Sequence, residues 1–283
     1  MYTSLNTGAI GVKADLAGAL ALAKQHGFQA IDVPMGEVLR LADTEGAPAA
    51  AALFRDAGLR FGPWGLPVEW RTDEEKFQQG LSELPRYAAL GRELGATRVN
   101  TWVPSGNNDR SRQQQFDHLL TRFRPIAAIL AEHDCRLGLE FIGPKTQRAR
   151  FTHEFIYTAG DMLEFAHAVG PNVGLLHDCW HWYTSGGTIA ELTSLRAQDI
   201  VSVHVNDAPP GIDRDAQLDN QRMLPMESGV IDLPGYLKAL QAIGYDGPVT
   251  VEPFSARLCQ LPPDQAVAET AASLEKAWKA AGL

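Results

Sequence analysis

The chain has 283 residues, of which 45% are hydrophobic and 21% charged, with a formal net charge of −9. That supplies enough apolar surface for a large core without disulfides, while the acidic balance argues against a nucleic-acid partner, which calls for a basic face. The three cysteines, Cys135, Cys179 and Cys259, show no CxxC spacing, which favours a reducing, cytoplasmic setting over a disulfide framework or a cysteine zinc site.

Residues 1–13 lack a basic start followed by an apolar stretch, and no later run approaches membrane-spanning length, so neither a leader nor a membrane partner is expected. Residues 2–6 read as a first strand before the Gly8 and Gly11 loop. A helix over 16–26 places Leu16, Leu20 and Ala23 on one face, with Gly27 at its stop. Strand 29–33 ends at Pro34, and a helical stretch 37–57 carries interruptions at Gly46 and Pro48. A third strand over 59–64 runs into a Gly/Pro loop. Thr72-Asp73-Glu74-Glu75 caps a helix over 72–93, with Pro85 as a kink site. Strand 97–101 precedes the polar loop 105–109 and a helix over 111–133 with Pro125 in its middle. Further helices are expected over 159–169, 188–195, 233–243 and 264–281.

Between those later helices lie four short stretches with period-2 alternation, the pattern of strands. They end at Glu140, Asp178, His204 and Glu252. In each, one parity carries branched apolar residues: Leu137 and Leu139, Val173 and Leu175, Val201 and Val203, Val249 and Val251. The other parity holds mostly small residues and the terminal polar group, with Gly138, Gly174, Ser202 and Thr250 preceding it. Strands covered by helices turn the branched set outward and the small set into a crowded interior. Eight strands alternating with helices over this length predict a single-domain (β/α)8 barrel of the TIM type spanning residues 1–283. Barrel active sites sit at the carboxyl ends of the strands, where all four polar groups fall.

Three carboxylates and an imidazole in one cavity repel each other and lose hydration unless a cation compensates. The set Glu140, Asp178, His204 and Glu252 is therefore expected to hold one divalent ion. Its oxygen-rich character suits Mn²⁺ first, and admits Mg²⁺, Co²⁺ or Zn²⁺. The competing view is four unrelated strand-end groups meeting solvent, which the shared parity disfavours. His181, three residues past Asp178, suits a substrate contact near the metal, and His177 with His181 as a helical zinc pair is disfavoured by the strand before them. The long connection 207–232 reads as a functional loop. It carries Arg222, whose fork of donors could bind a substrate oxygen. Trp64 and Trp102 follow strand ends and could wall the pocket, although ordinary rim packing is the plainer expectation for each. His153-Glu154 lacks the second histidine of HExxH, and no P-loop, GxSxG or GxGxxG motif is present.

Five segments taken together give a resemblance: Leu139-Glu140-Phe141, Asp178-Cys179-Trp180-His181, Val203-His204-Val205-Asn206-Asp207, Arg222-Met223-Leu224-Pro225 with Gly229-Val230-Ile231-Asp232, and Val251-Glu252-Pro253. In order and spacing the chain resembles the sugar phosphate isomerase/epimerase group of xylose-isomerase-like barrels, which includes inosose isomerases and ketose 3-epimerases. The resemblance implies that Glu140, Asp178, His204 and Glu252 bind one divalent metal, that Glu140 and Glu252 also form an acid/base pair, and that His181 and Arg222 contact a small sugar or keto-polyol substrate. It implies isomerase or epimerase chemistry through an enediolate, with an inosose-dehydratase-type lyase as the alternative. An endonuclease IV-like nuclease and a non-catalytic sugar-binding barrel are more remote, and self-association is left open. Two departures stand out. Ketose 3-epimerases usually carry a further glutamate where this chain has Gly143-Pro144-Lys145-Thr146, and the family's Pro-Gly-Glu-Gly is here Pro225-Met226-Glu227-Ser228-Gly229.

Overall fold

The computed structural model describes residues 1–71 and 73–283. The chain runs through β1 (Tyr2–Leu5), α1 (Leu16–Gln25), β2 (Ala30–Ile31), α2 (Met35–Glu45), α3 (Ala47–Ala57), β3 (Arg60–Phe61), β4 (Trp64–Gly65) and α4 (Glu74–Leu94). It continues with β5 (Arg98–Val103), β6 (Gly106–Asn107), α5 (Arg112–Glu132), β7 (Arg136–Phe141), α6 (Lys145–Arg148), β8 (His153–Glu154), α7 (Ala159–Val169) and β9 (Val173–Asp178). The last elements are α8 (Cys179–Ser185), α9 (Ile189–Ser194), β10 (Ile200–Val205), α10 (Leu233–Ala242), β11 (Pro248–Val251) and α11 (Pro263–Ala281).

The parallel sheet has the order β3-β2-β1-β11-β10-β9-β7-β5-β4. Its two outer members are halves of the expected third strand: β3 pairs with β2, and β4 pairs with β5. The third strand thereby joins the two ends of the sheet and closes an eight-stranded ring. Pro63 has no N–H for a ladder, so the strand changes partner there. Gly62 donates its N–H to the Ile31 carbonyl at 2.9 Å, and a Cβ at that glycine would lie 2.4 Å from the same oxygen. Only glycine fits that approach.

Helix ends follow local chemistry. Asp15, Thr158 and Thr188 each accept a backbone N–H at the start of α1, α7 and α9. Ser111 and Gln114 form a reciprocal capping box on α5. Asp73 caps α4, and the neighbouring Thr72 of the expected cap lies outside the described residues. The helical stretch 37–57 divides at Gly46, whose φ of 87° belongs to glycine. Helices α4 and α5 continue through Pro85 and Pro125.

The barrel interior follows the parity of the strands. Ser202 reaches across to Asn100 Oδ1 at 2.7 Å, and Thr250 to Asp32 Oδ1 at 3.0 Å. Leu137, Leu139, Val203, Val249 and Val251 are buried in the hydrophobic core. Val201 departs from this arrangement. The pairing of β10 with β9 is irregular between Ile200 and Ser202, and a Cβ on inward-facing Gly138 would sit 3.1 Å from Val201 Cβ. The irregularity thus brings Val201 against the small residues that parity alone assigned to the interior. Among the described residues, no helix is long and apolar enough to cross a membrane.

Candidate functional site

Glu140, Asp178 and His204 lie on β7, β9 and β10, and Glu252 immediately follows β11. Their four ligand atoms lie within 4.8 Å of one another. His204 Nδ1 is 3.4 Å from Glu252 Oε2, 3.7 Å from Glu140 Oε1 and 3.9 Å from Asp178 Oδ2. Donor atoms each about 2.0–2.4 Å from a shared ion are spaced in this way. Glu140 Oε1 and His204 Nδ1 are buried and make no hydrogen bond. Buried polar atoms are normally paired, so two orphans facing one another among carboxylates fit a cation between them.

The charges in this cluster are strongly perturbed. Burial, reinforced by the Glu252 charge, holds the Glu140 carboxyl well above the usual carboxylate range. Burial alone would push His204 down, but Glu252, Glu140 and Asp178 around it raise its imidazolium to about 10. Burial would likewise raise Glu252, yet His204 and Arg222 bring it to about 2. Without a metal, the site therefore stores a proton on His204 and suppresses the charge on Glu140.

Second partners fix these side chains. Asp178 caps α8, accepting the Trp180 N–H at 2.6 Å. Asn206 Nδ2 donates to both Asp178 oxygens, at 3.3 and 3.4 Å, and to the Glu252 carbonyl at 3.1 Å. His181 sits on α8, a helix absent from the expected element order, and is 1% exposed. Donors face both ring nitrogens of His181, the Gly143 N–H at 3.2 Å from Nδ1 and Arg222 Nη2 at 3.2 Å from Nε2. His181 Nε2 lies 4.0 Å from Glu140 Oε1. Burial and Arg222 lower the His181 pKa, which keeps it neutral. His177 belongs to a different environment, with Nδ1 2.6 Å from the Tyr236 hydroxyl, and takes no part in the cluster.

Arg222 reaches the site from the long loop. Its Nη1 donates to Asp178 Oδ2 at 3.0 Å and Glu252 Oε2 at 3.1 Å, and its Nη2 to Asp219 Oδ1 at 2.6 Å. The guanidinium lies 4.7 Å from the Phe254 ring centroid and 5.5 Å from that of Trp180. The loop is held by Asp207, whose carboxylate accepts the N–H groups of Ala208, Ser228, Gly229 and Ile231. Asn206 and Asp207 are site residues that the sequence pattern leaves without a role. Their position just past the His204 strand end was the available signal. Asp32 was also missed, although it ends a strand with inward parity. Its carboxylate takes Ser4, Thr250 and Asn6 at 2.7, 3.0 and 3.1 Å.

Above the cluster opens a cavity of about 540 Å³, lined by Glu140, His181, Arg222 and Glu252 and walled by Trp102 and Phe254. Trp102 is 42% exposed and forms a cavity wall, against the plainer expectation of rim packing. Trp64 does pack: it is 2% exposed and donates its indole N–H to the Ala96 carbonyl at 2.7 Å.

Residues 20–277 match the xylose isomerase-like TIM barrel family. The chain belongs to that family. Among curated relatives, the barrel is 26% identical over 258 residues to the inosose isomerase of Bacillus velezensis, covering 88% of this chain and 86% of that protein. It is 31% identical over 147 residues to the inosose isomerase of Halalkalibacterium halodurans, a match spanning 50% of this chain and about half, 48%, of the relative. A solved xylose isomerase domain protein from Alicyclobacillus acidocaldarius superposes over the full length of both chains, with a TM-score of 0.87 and 30% identity. The xylose isomerase-like assignment agrees with the closed ring and the strand-end position of the site.

Proposed function

We propose that this barrel is a divalent-metal-dependent isomerase or epimerase of a keto-sugar, keto-polyol or keto-inositol, with Glu140 and Glu252 as its acid/base pair. The observation that carries the reading is the convergence of Glu140, Asp178, His204 and Glu252 beneath one walled cavity, with two buried ligand atoms lacking partners. The similarity to inosose isomerases supports the keto-inositol end of that substrate range.

Asp178, His204 and the two glutamates would hold the ion, with Mn²⁺ first among the candidates for this hard donor set. When bound, it supplies a Lewis acid that polarises the substrate carbonyl and stabilises enediolate charge. The protein's own groups handle the protons. One glutamate removes the proton from the carbon beside the carbonyl, and the other returns a proton to the opposite face or the neighbouring carbon. His181, beside Glu140 and Arg222 on the cavity lining, contacts a substrate oxygen. Arg222 binds the developing anion and neutralises the carboxylates it touches. Trp102 and Phe254 offer apolar faces to the carbon skeleton.

The test is a panel of ketoses and keto-inositols in D₂O with added Mn²⁺, followed by NMR. Deuterium should enter a carbon adjacent to the carbonyl, with an isomer or epimer as product. A dehydrated product would move the assignment to the lyase that shares this first step. Absence of exchange across the panel in metal-loaded protein would refute both.

A further inference from the structure

The outer wall of the cavity has a chemistry that the proton-transfer site does not use. It is built where the loop after β5 meets the loop after β7. There β6 and β8 pair antiparallel, Gly106 opposite Glu154 and Asn107 opposite His153. The Phe155 N–H donates to the Ser105 carbonyl at 2.7 Å. Gly106 allows this approach, since a Cβ there would lie 2.6 Å from Phe151 Cβ. The wall is therefore a preformed surface joined from two loops.

Four of its side chains line the cavity: Ser105, Asn108, Gln147 and Arg150. Ser105 is 1% exposed and its hydroxyl has no hydrogen-bond partner. Asn108 Oδ1 already accepts from the Thr152 N–H at 2.9 Å and hydroxyl at 3.3 Å, which leaves its NH₂ as the available end. Gln147 Oε1 accepts from Arg150 Nη1 at 3.0 Å, which again leaves donors. Arg150 has no carboxylate partner among the described residues, whereas the other arginine of the cavity, Arg222, contacts Asp178, Asp219 and Glu252. The wall thus offers the N–H donors of Asn108, Gln147 and Arg150, one unneutralised positive charge and a Ser105 hydroxyl that can donate. Its amide oxygens already accept internal hydrogen bonds, so donors outnumber acceptors. A neutral polyol presents donors as well as acceptors and would leave its own hydroxyl protons poorly matched here. A phosphate or carboxylate presents acceptors only.

We infer that this wall is a subsite for an anionic, acceptor-only group on the substrate, a phosphate monoester or a carboxylate, gripped by Ser105, Asn108, Gln147 and Arg150. Naming that group as part of the substrate rests on the isomerase reading; its binding does not.

Calorimetry on the Mn²⁺-loaded protein tests this with fructose, fructose 1-phosphate, fructose 6-phosphate and fructuronate. At least one anionic ligand should bind about tenfold or more tightly than fructose, the effect of one charge-assisted hydrogen bond. Preference for a phosphate ester or for fructuronate identifies which anion the wall takes. Arg150→Ala should shrink the anion preference to less than about threefold, since the charged donor is lost. Asn108→Asp keeps the acceptor for Thr152 but replaces the donor with a charge, and should reverse the preference. Equal affinities for all four ligands, or an anion preference unchanged in both variants, would overturn the subsite. Deuterium exchange into fructose with no anion preference would remove the subsite and leave the isomerase reading. Anion preference with no exchange into any ligand would do the opposite.

Discussion

Two buried carboxylate environments face each other across the mouth of this barrel, and they are solved differently. On the β1–β2 side, Asp32 accepts hydrogen bonds from Ser4, Asn6 and Thr250. Burial raises its pKa, with these neutral donors and the His204 charge acting in the opposite direction. On the β7–β11 side, Glu140 has an oxygen with no donor and two carboxylate neighbours, Asp178 and Glu252, that raise its pKa further. A carboxylate completed by protein donors is finished by folding alone. One left among like charges is finished by something that arrives later, and a divalent cation meets that need. Burial by itself does not distinguish the two. The donor inventory does.

The sharpest way to break this contrast is metal analysis of three variants. Asp178→Ala and His204→Ala should each lose nearly all bound metal, whereas Asp32→Asn should retain it. Equal occupancy in all three would put the two carboxylate environments in one class. Next in size is catalysis. Glu140→Gln and Glu252→Gln, with metal restored, should remain at least about 10²-fold below wild type, because an amide keeps an oxygen for the ion but cannot exchange the substrate proton. Full activity of either variant at saturating Mn²⁺ would leave that glutamate as a ligand only.

Arg222→Ala should lose about 10- to 100-fold in turnover while keeping metal and fold, and Arg222→Lys should recover little if the fork of donors is required. Unchanged kinetics in Arg222→Ala would return the residue to charge compensation of Asp178 and Asp219.

A smaller effect appears in the pH dependence of the metal-free protein. His204 has a folded pKa of about 10, above the ordinary 6.5, so its contribution to stability is complete below pH 6.5 and is lost as pH rises toward 10. Glu140, with its raised pKa, acts in the same direction, because ionising it in the fold is disfavoured above the ordinary carboxylate range. Thermal melts in chelator should therefore fall from pH 7 to 9. Saturating metal should reverse this trend, since binding displaces the His204 proton. A flat metal-free profile would count against a stored proton. Last comes Asp32→Asn itself, expected to cost about 1 kcal/mol of stability through one weakened hydrogen bond. A loss several times larger in a denaturant titration would show that Asp32 is coupled to the metal side.

The origin of these contrasts was unevenly visible in the chain. The four ligand candidates were legible because strand alternation has a period of two, so identical parity at four strand ends needs no tertiary information to place four groups on one interior. Helix boundaries were legible at Gly46 and Ser111, where backbone conformation and capping are local. The split of the third strand was not, since Pro63 marks a weak ladder position but not which neighbours the flanking pairs choose. The irregularity at Val201 was hidden for the same reason: register belongs to two strands, and one sequence segment carries no record of its partner.

Sequence by itself determined the barrel class, the convergence of Glu140, Asp178, His204 and Glu252, and the loop that delivers Arg222, because periodicity and strand-end chemistry are properties of contiguous residues. Tertiary structure alone decided that Asp32 is satisfied while Glu140 is not, that Asp207 clasps the loop through four N–H groups, and that Ser105 and Arg150 share a wall. Apart from the Ala208 N–H beside Asp207, those hydrogen bonds join residues twenty or more positions apart, and they are satisfied by distance in space, on which spacing along the chain is silent.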